Sequence, residues 1–342
     1  MNATFRCDAT AAIGGGHVYR CLVLADALAT AGWSCAFATA AESGKTVPEL
    51  SDSGHRIVWL NEAGLQDPRA LPVEREQQID LLVVDHYGLD ASYERAGREH
   101  AARIMAIDDL ATRDHDCDVL LDQTLGRRPD EYAGRVPAGC RLLLGPSFAL
   151  LRTQFADARR SGRPARHANG RRRMLISFGA IDGRNLSALA LQAVLRTGHD
   201  LEIDVVMGPA ARSLAAVRRI ADSQPARIRV HVGVADMAAL MAGADLAVGA
   251  GGTTAWERCC LGLPTVIIVT AANQRRIADE LANAGAALVA GEAGEVTDER
   301  LAAVISRLLQ TPETLLRMSQ AAAAICDGEG ARRVCRELGK AA

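Results

Sequence analysis

The 342-residue chain lacks a charge excess of either sign, with 39 Lys and Arg against 41 Asp and Glu. With no global basic field, DNA or RNA is not expected as a partner. The one basic cluster, RRSGRPARHANGRRR at 159–173, lacks interleaved aromatics and reads as a solvated linker. No apolar run precedes the first charges of MNATFRCDAT, and the longest uncharged stretch, Cys259 to Gln274, is too short and turn-rich to span a bilayer. A cytoplasmic protein with no membrane span is expected. None of the nine cysteines forms a CxxC pair, so neither a zinc site nor a disulfide framework is indicated. Most are expected to be small buried apolar residues.

What is present suits a folded enzyme: 49% apolar and 23% charged residues, with length enough for two domains of about 150 residues each. Short apolar runs at 3–9, 35–38, 56–60, 80–85, 103–108 and 118–122 alternate with helical or loop segments. The rhythm restarts beyond the Arg-rich segment with runs at 173–179, 201–208, 228–233, 245–252 and 264–270. This alternation predicts an α/β protein of two Rossmann-like domains with parallel sheets, facing across a cleft that holds the ligand. The expected boundaries are a first domain at 1–155, a linker at 156–172, a second domain at 173–325 and a closing helix at 326–342 that packs back on the first domain.

Glycine loops end several of these strands. Gly14, Gly15 and Gly16 precede a helical pattern, so their backbone can approach an anion closely. Neither GxGxxG spacing nor a P-loop Lys-Ser/Thr pair is found at this loop. His17 falls in the first helical turn, where the helix field favours a neutral ring able to accept a proton; a solvated or capping residue is the plainer reading. Arg20 lies one turn on. In GAGGTTAWERCCLGLP, Thr254 and Glu257 have capping-box spacing, whereas the functional reading gives the Glu257 carboxylate to ribose hydroxyls and the Gly251 and Gly252 backbone to phosphate. Asp85, His86 and Tyr87 follow the strand 80–85 as either loop formers or site residues. Asn273 and Gln274 open a helix, where Asn273 could be only an N-cap. SFGAIDGRN, with Ser177 and Gly179, makes a further glycine turn into a helix.

Taken together, FRCDATAAIGGGHVYRCLVLADAL, VVDHYGLD, SFGAIDGRNLS and GAGGTTAWERCCLGLPTVIIVTAANQ resemble the PseG family of UDP-2,4-diacetamido-2,4,6-trideoxy-β-L-altropyranose hydrolases of pseudaminic acid biosynthesis, over roughly residues 4–330. The last block is shared more widely with MurG-like glycosyltransferases. The resemblance implies the glycosyltransferase B fold, UDP held mainly by the C-terminal domain, and hydrolysis between the anomeric carbon and the β-phosphate oxygen without metal or cofactor. It gives catalytic roles to His17, Tyr87 and Asn273 and the ribose to Glu257. Substrate contacts are expected from Gly14, Gly15, Gly16, Arg20, Asp85, Ser177, Gly179, Gly251, Gly252, Thr253, Thr254 and Gln274. Ala180 and Ile181 replace the family's usual Gly-Thr, and Ala272 stands where an acidic residue often precedes Asn-Gln. The expected partner is a UDP-linked sugar, bound by a monomer. The alternatives are a MurG-like glycosyltransferase, a hydrolysing 2-epimerase and a non-catalytic UDP-sugar binding protein.

Overall fold

The computed structural model describes residues 1–10, 13–72, 78–162, 171–179, 181–209 and 211–339. Residues 163–170 of the expected linker and Ala180 lie outside this set. The chain forms two compact units, Met1–Leu151 with Glu329–Ala342, and Arg152–Gly328.

In the first unit, strands β1 (Asn2–Cys7), β2 (Ser34–Ala40), β3 (Arg56–Leu60), β4 (Leu81–Asp85), β5 (Ile104–Ile107), β6 (Val119–Asp122) and β7 (Arg141–Leu144) form one sheet in the order β3-β2-β1-β4-β5-β6-β7. Every ladder is parallel, and Cys7 at the end of β1 is level with Asp85 at the end of β4. The central strands are mostly apolar because both faces are covered, with Thr4 and Arg6 of β1 among the buried polar exceptions. One face packs against Val18, Cys21, Leu24 and Leu28 of the helix Gly16–Thr30 and against Val334 and Leu338 of the C-terminal helix Gly330–Gly339. The opposite face buries Leu82, Val84, Tyr93, Leu120 and Tyr132.

The second unit holds β8 (Arg172–Ser177), β9 (Leu201–Met207), β10 (Ile228–Val232), β11 (Leu246–Ala250), β12 (Thr265–Val269) and β13 (Ala287–Glu292), in the order β10-β9-β8-β11-β12-β13. These ladders too are all parallel. Its core joins Ile176, Val205, Val248 and Val266 to Ala190, Leu191 and Val194 of the helix Leu186–Arg196 and to Leu301 and Ile305 of the helix Asp298–Gln310.

In both sheets the order reverses at one place, between β1 and β4 and between β8 and β11. Loops leaving the two central strands there diverge and open a crevice at the strands' carboxyl ends. The expected linker needs correcting at its start: Thr153–Ser161 is a helix. Phe155 and Ala156 are buried, and Arg159 donates to the carbonyls of Cys260, Ala323 and Cys326, which fastens this helix into the second unit. Among the described residues no helix is long and apolar enough to cross a membrane.

Candidate functional site

The crevice of the first unit is built from three loops. After β1, Gly14 adopts φ +77°, and its N–H donates to the Thr10 carbonyl at 2.8 Å, folding the chain back before the helix begins at Gly16. A side chain at that φ would be strained, so glycine is required. The fold places His17 at the second helical position, 6% exposed, with Nδ1 2.6 Å from Oδ1 of the fully buried Asp85. Arg20, one turn along the same helix, forks onto Asp85 through Nε at 2.6 Å and Nη2 at 2.5 Å. Its remaining arm reaches Asp109 at 3.2 Å, and Tyr87 Oη donates to Asp109 at 2.9 Å. The Tyr87 ring stands edge-on to the His17 ring at 4.6 Å between centroids.

This arrangement fixes the orientation of the His17 ring. Asp85 is a carboxylate: burial alone would raise its pKa, but Arg20 and then His17 outweigh burial and hold it well below the usual range. Burial likewise opposes the Arg20 charge, yet Asp85 and Asp109 keep the guanidinium ionised. A proton on Nδ1 suits the 2.6 Å approach to a carboxylate oxygen, since a lone pair there would face a lone pair; Arg20 Nη2 also stands 3.1 Å from Nδ1, and with Nδ1 turned to Asp85 it is Nε2 that is left to face the crevice.

Arg20 and Asp85, expected to touch substrate, face inward instead. Arg20 is 4% exposed with its donors engaged, and Asp85 is inaccessible. Both contact His17, Asp85 Oδ1 at 2.6 Å and Arg20 Nη2 at 3.1 Å from Nδ1.

Residues that motif reading passed over hold the loop after β4. Arg113 donates to the carbonyls of His86, Tyr87 and Leu89 and to Asp108, moulding the DHYG turn. His86 accepts from the Gly88 N–H through Nδ1, leaving Nε2 to face Asp8 at 3.4 Å. Burial first, and then Arg6, push the His86 pKa down, so the ring is neutral. Asp8 is fixed by Arg6, Thr39 and the Ala40 N–H. The signal for Asp109 and Arg113 was the polar run DDLATR directly after a buried strand.

In the second unit, the helix Thr254–Cys260 takes Thr253 as its N-cap, with no side-chain cap bond. Thr254 is therefore already helical, and the expected capping box with Glu257 does not form. That removes the capping-box explanation for Glu257. Its side chain is 16% exposed, with Arg152 Nη2 3.8 Å away. Burial pushes the Glu257 carboxyl up to about 7, against the opposing pull of Arg152 and Arg258. Asn273 is not the cap of its helix either; that position falls on Gln274. Asn273 is exposed in the short turn Ala272–Gln274, whereas Gln274 Oε1 accepts from the Gly251 N–H, the Thr270 N–H and the Thr270 hydroxyl. Gln274 thus clamps the glycine loop to the end of β12, and the Gly251 amide expected for phosphate is occupied by it. Gly252, Thr253 and Thr254 are half-buried beside it, while Ser177 is buried at the end of β8 and Gly179 is exposed with φ +83°.

Superposed on solved structures, the chain matches Acinetobacter baumannii MurG with TM-score 0.67 at 16% identity over 99% of both chains. The spinosyn forosaminyltransferase SpnP matches with TM-score 0.61 at 17% identity, again over 99% of each. The fold is that of the glycosyltransferase B enzymes. Residues 185–334 match the glycosyltransferase family 28 C-terminal domain. Among curated relatives, the UDP-2,4-diacetamido-2,4,6-trideoxy-β-L-altropyranose hydrolase of Campylobacter jejuni is 28% identical over 55% of this chain and 63% of its own length. The spore coat polysaccharide biosynthesis protein SpsG of Bacillus subtilis is 30% identical over 58% of each. A UDP-N-acetylglucosamine transferase acting on N-acetylmuramyl-(pentapeptide) pyrophosphoryl-undecaprenol, from Sorangium cellulosum, is 31% identical over 64% of this chain and 54% of its own. The chain therefore spans about three-fifths of the length of the curated relatives it matches.

Proposed function

We propose that the chain hydrolyses a UDP-linked sugar, namely UDP-2,4-diacetamido-2,4,6-trideoxy-β-L-altrose, to UDP and the free sugar. The observation that carries this reading is the buried Asp85–His17 pair, which leaves His17 Nε2 as a base. Water loses a proton to Nε2 as its oxygen bonds to the anomeric carbon. The bond from that carbon to the β-phosphate oxygen breaks with its electron pair leaving on UDP, and the configuration inverts. A diphosphate leaves readily as an anion, so this step needs positive charge and amide dipoles more than an acid.

Tyr87, braced by Asp109, and Asn273 orient the water or the sugar substituents. Glu257 accepts from the ribose hydroxyls, and the loop Gly251–Thr254 faces the phosphates. The similarity to the Campylobacter jejuni hydrolase supports water as the acceptor. The similarity to the UDP-N-acetylglucosamine transferase favours a second reading, in which His17 activates an acceptor hydroxyl instead. Incubation of the purified protein with a panel of UDP-sugars separates them. UDP release without added acceptor supports hydrolysis; release only on adding an acceptor supports transfer, and no release under either condition leaves a binding protein.

A further inference from the structure

The strongest unexplained feature lies under the glycine loop of the second unit. Arg258 is 2% exposed. Its guanidinium threads between the ends of β8 and β11, where Nη2 donates to the Ala250 carbonyl at 2.5 Å. Gly249 makes room for it: a Cβ there would stand 2.6 Å from Arg258 Nη1 and 2.5 Å from the Ser177 carbonyl oxygen. Arg258 Nε is buried with no hydrogen-bond partner. Among the described residues no carboxylate lies within the 4.0 Å of an ion pair with Arg258.

A buried ion without a partner is strongly unfavourable, and an apolar residue of similar volume at such a position commonly stabilises a fold. Burial pushes the Arg258 pKa down only to about 10, so the charge is present at neutral pH. The neighbouring Glu257 cannot neutralise it in full, because its own carboxyl is half-protonated near pH 7. Fastening the loop at Ala250 requires only a donor. The charge is left to be explained, and it sits one residue before Gly251, at the point where the sheet order reverses.

We propose that Arg258 is the buried positive charge against which the diphosphate of the nucleotide sugar is held, acting through the glycine loop without touching the ligand. This deepens the nucleotide-sugar reading above and rests on it. As a positioning residue, Arg258 contributes charge as well as shape. In a medium of low effective dielectric, a fixed charge just below the surface acts on a diphosphate far more strongly than an exposed one.

Three substitutions separate charge from fastening: Arg258→Lys keeps a charge and a donor, Arg258→Gln a donor alone, and Arg258→Met neither. Calorimetric titration of each full-length variant with UDP, inorganic pyrophosphate and uridine, beside melting of the ligand-free proteins, gives the readout. UDP and pyrophosphate binding should weaken roughly 10- to 100-fold in the Gln and Met variants and by less than about tenfold in the Lys variant, with uridine binding unchanged. The ligand-free Met variant should melt no lower than the parent. If Arg258→Gln binds UDP as the parent does, Arg258 is a fastener and the proposal is overturned. Should Arg258→Met fail to fold, the Lys and Gln pair still decides. A parent protein that binds pyrophosphate but neither UDP nor uridine refutes the nucleotide reading while leaving the charge proposal standing; binding of none refutes both.

Discussion

Replacing Asp85 by Asn removes the charge that orders the first crevice while keeping its shape. The carboxylate takes Arg20 on both oxygens and His17 Nδ1–H on Oδ1. An amide can place its oxygen on only one side. With oxygen at the Oδ1 position, the NH2 opposes Arg20 Nε–H. With NH2 there, it opposes Arg20 Nη2, and His17 Nδ1 must turn acceptor, which moves the ring proton to Nε2 and abolishes the base. Arg20 is buried and loses half of its pairing either way, a cost of about 3–5 kcal/mol. At about 2–4 °C per kcal/mol, the melting temperature should fall by roughly 6–20 °C. Turnover should fall by about 10²- to 10⁴-fold, the range of a lost general base. Circular dichroism fixes a temperature at which Asp85→Asn is folded, and UDP release is then measured there. A folded variant within about threefold of the parent turnover would refute the dyad, since one amide orientation abolishes the base and the other removes the negative charge behind it.

His17→Ala should abolish turnover and leave UDP affinity unchanged by titration, because the nucleotide is assigned to the second unit. Tyr87→Phe removes the hydroxyl bound to Asp109 and should lower kcat by roughly 10- to 100-fold at unchanged UDP affinity. Glu257 supplies a pH dependence whose sign is fixed. Its carboxyl is raised to about 7 by burial, and only the ionised form accepts from both ribose hydroxyls with full strength. Affinity for UDP-N-acetylglucosamine, whose diphosphate diester does not titrate near neutrality, should therefore rise as pH increases through about 7. Glu257→Gln should weaken binding and remove that slope; a slope that persists in the variant assigns it to another group.

Much of the fold was legible because buried parallel strands are written as short apolar runs ended by glycine loops. VVD at the end of β4 and VGA at the end of β11 carried the two crevices to their places along the chain. The strands left unread were β7 and β13, edge strands whose composition is not distinguished from flanking loops and helices: RLLL is four residues long, and ALVAGE has a register shift against β12. The linker was read too early since Arg159 looks solvated in sequence, yet it spends its donors on three carbonyls more than 100 residues away. A shift of one residue in the helix start undid the Thr254–Glu257 capping box.

The candidate site was legible as motifs but not as a network. His17, Asp85 and Tyr87 each stood in a recognisable stretch, whereas the pairing of Arg20 with Asp109 spans 89 residues and that of His17 with Asp85 spans 68. No local pattern encodes such contacts. Arg20 reads like an exposed, ligand-seeking cation until the fold turns it onto two carboxylates, and Arg258 reads like a helix-surface residue until Gly249 admits it beneath the strand ends.

The central claim is attack by water at the anomeric carbon, and the isotope content of the released nucleotide tests it most directly. After turnover of the UDP-linked diacetamido-trideoxy sugar in ¹⁸O-water, mass spectrometry of UDP should find no ¹⁸O, because the β-phosphate oxygen leaves with the phosphate. UDP carrying ¹⁸O would place the attack at phosphorus and contradict the account.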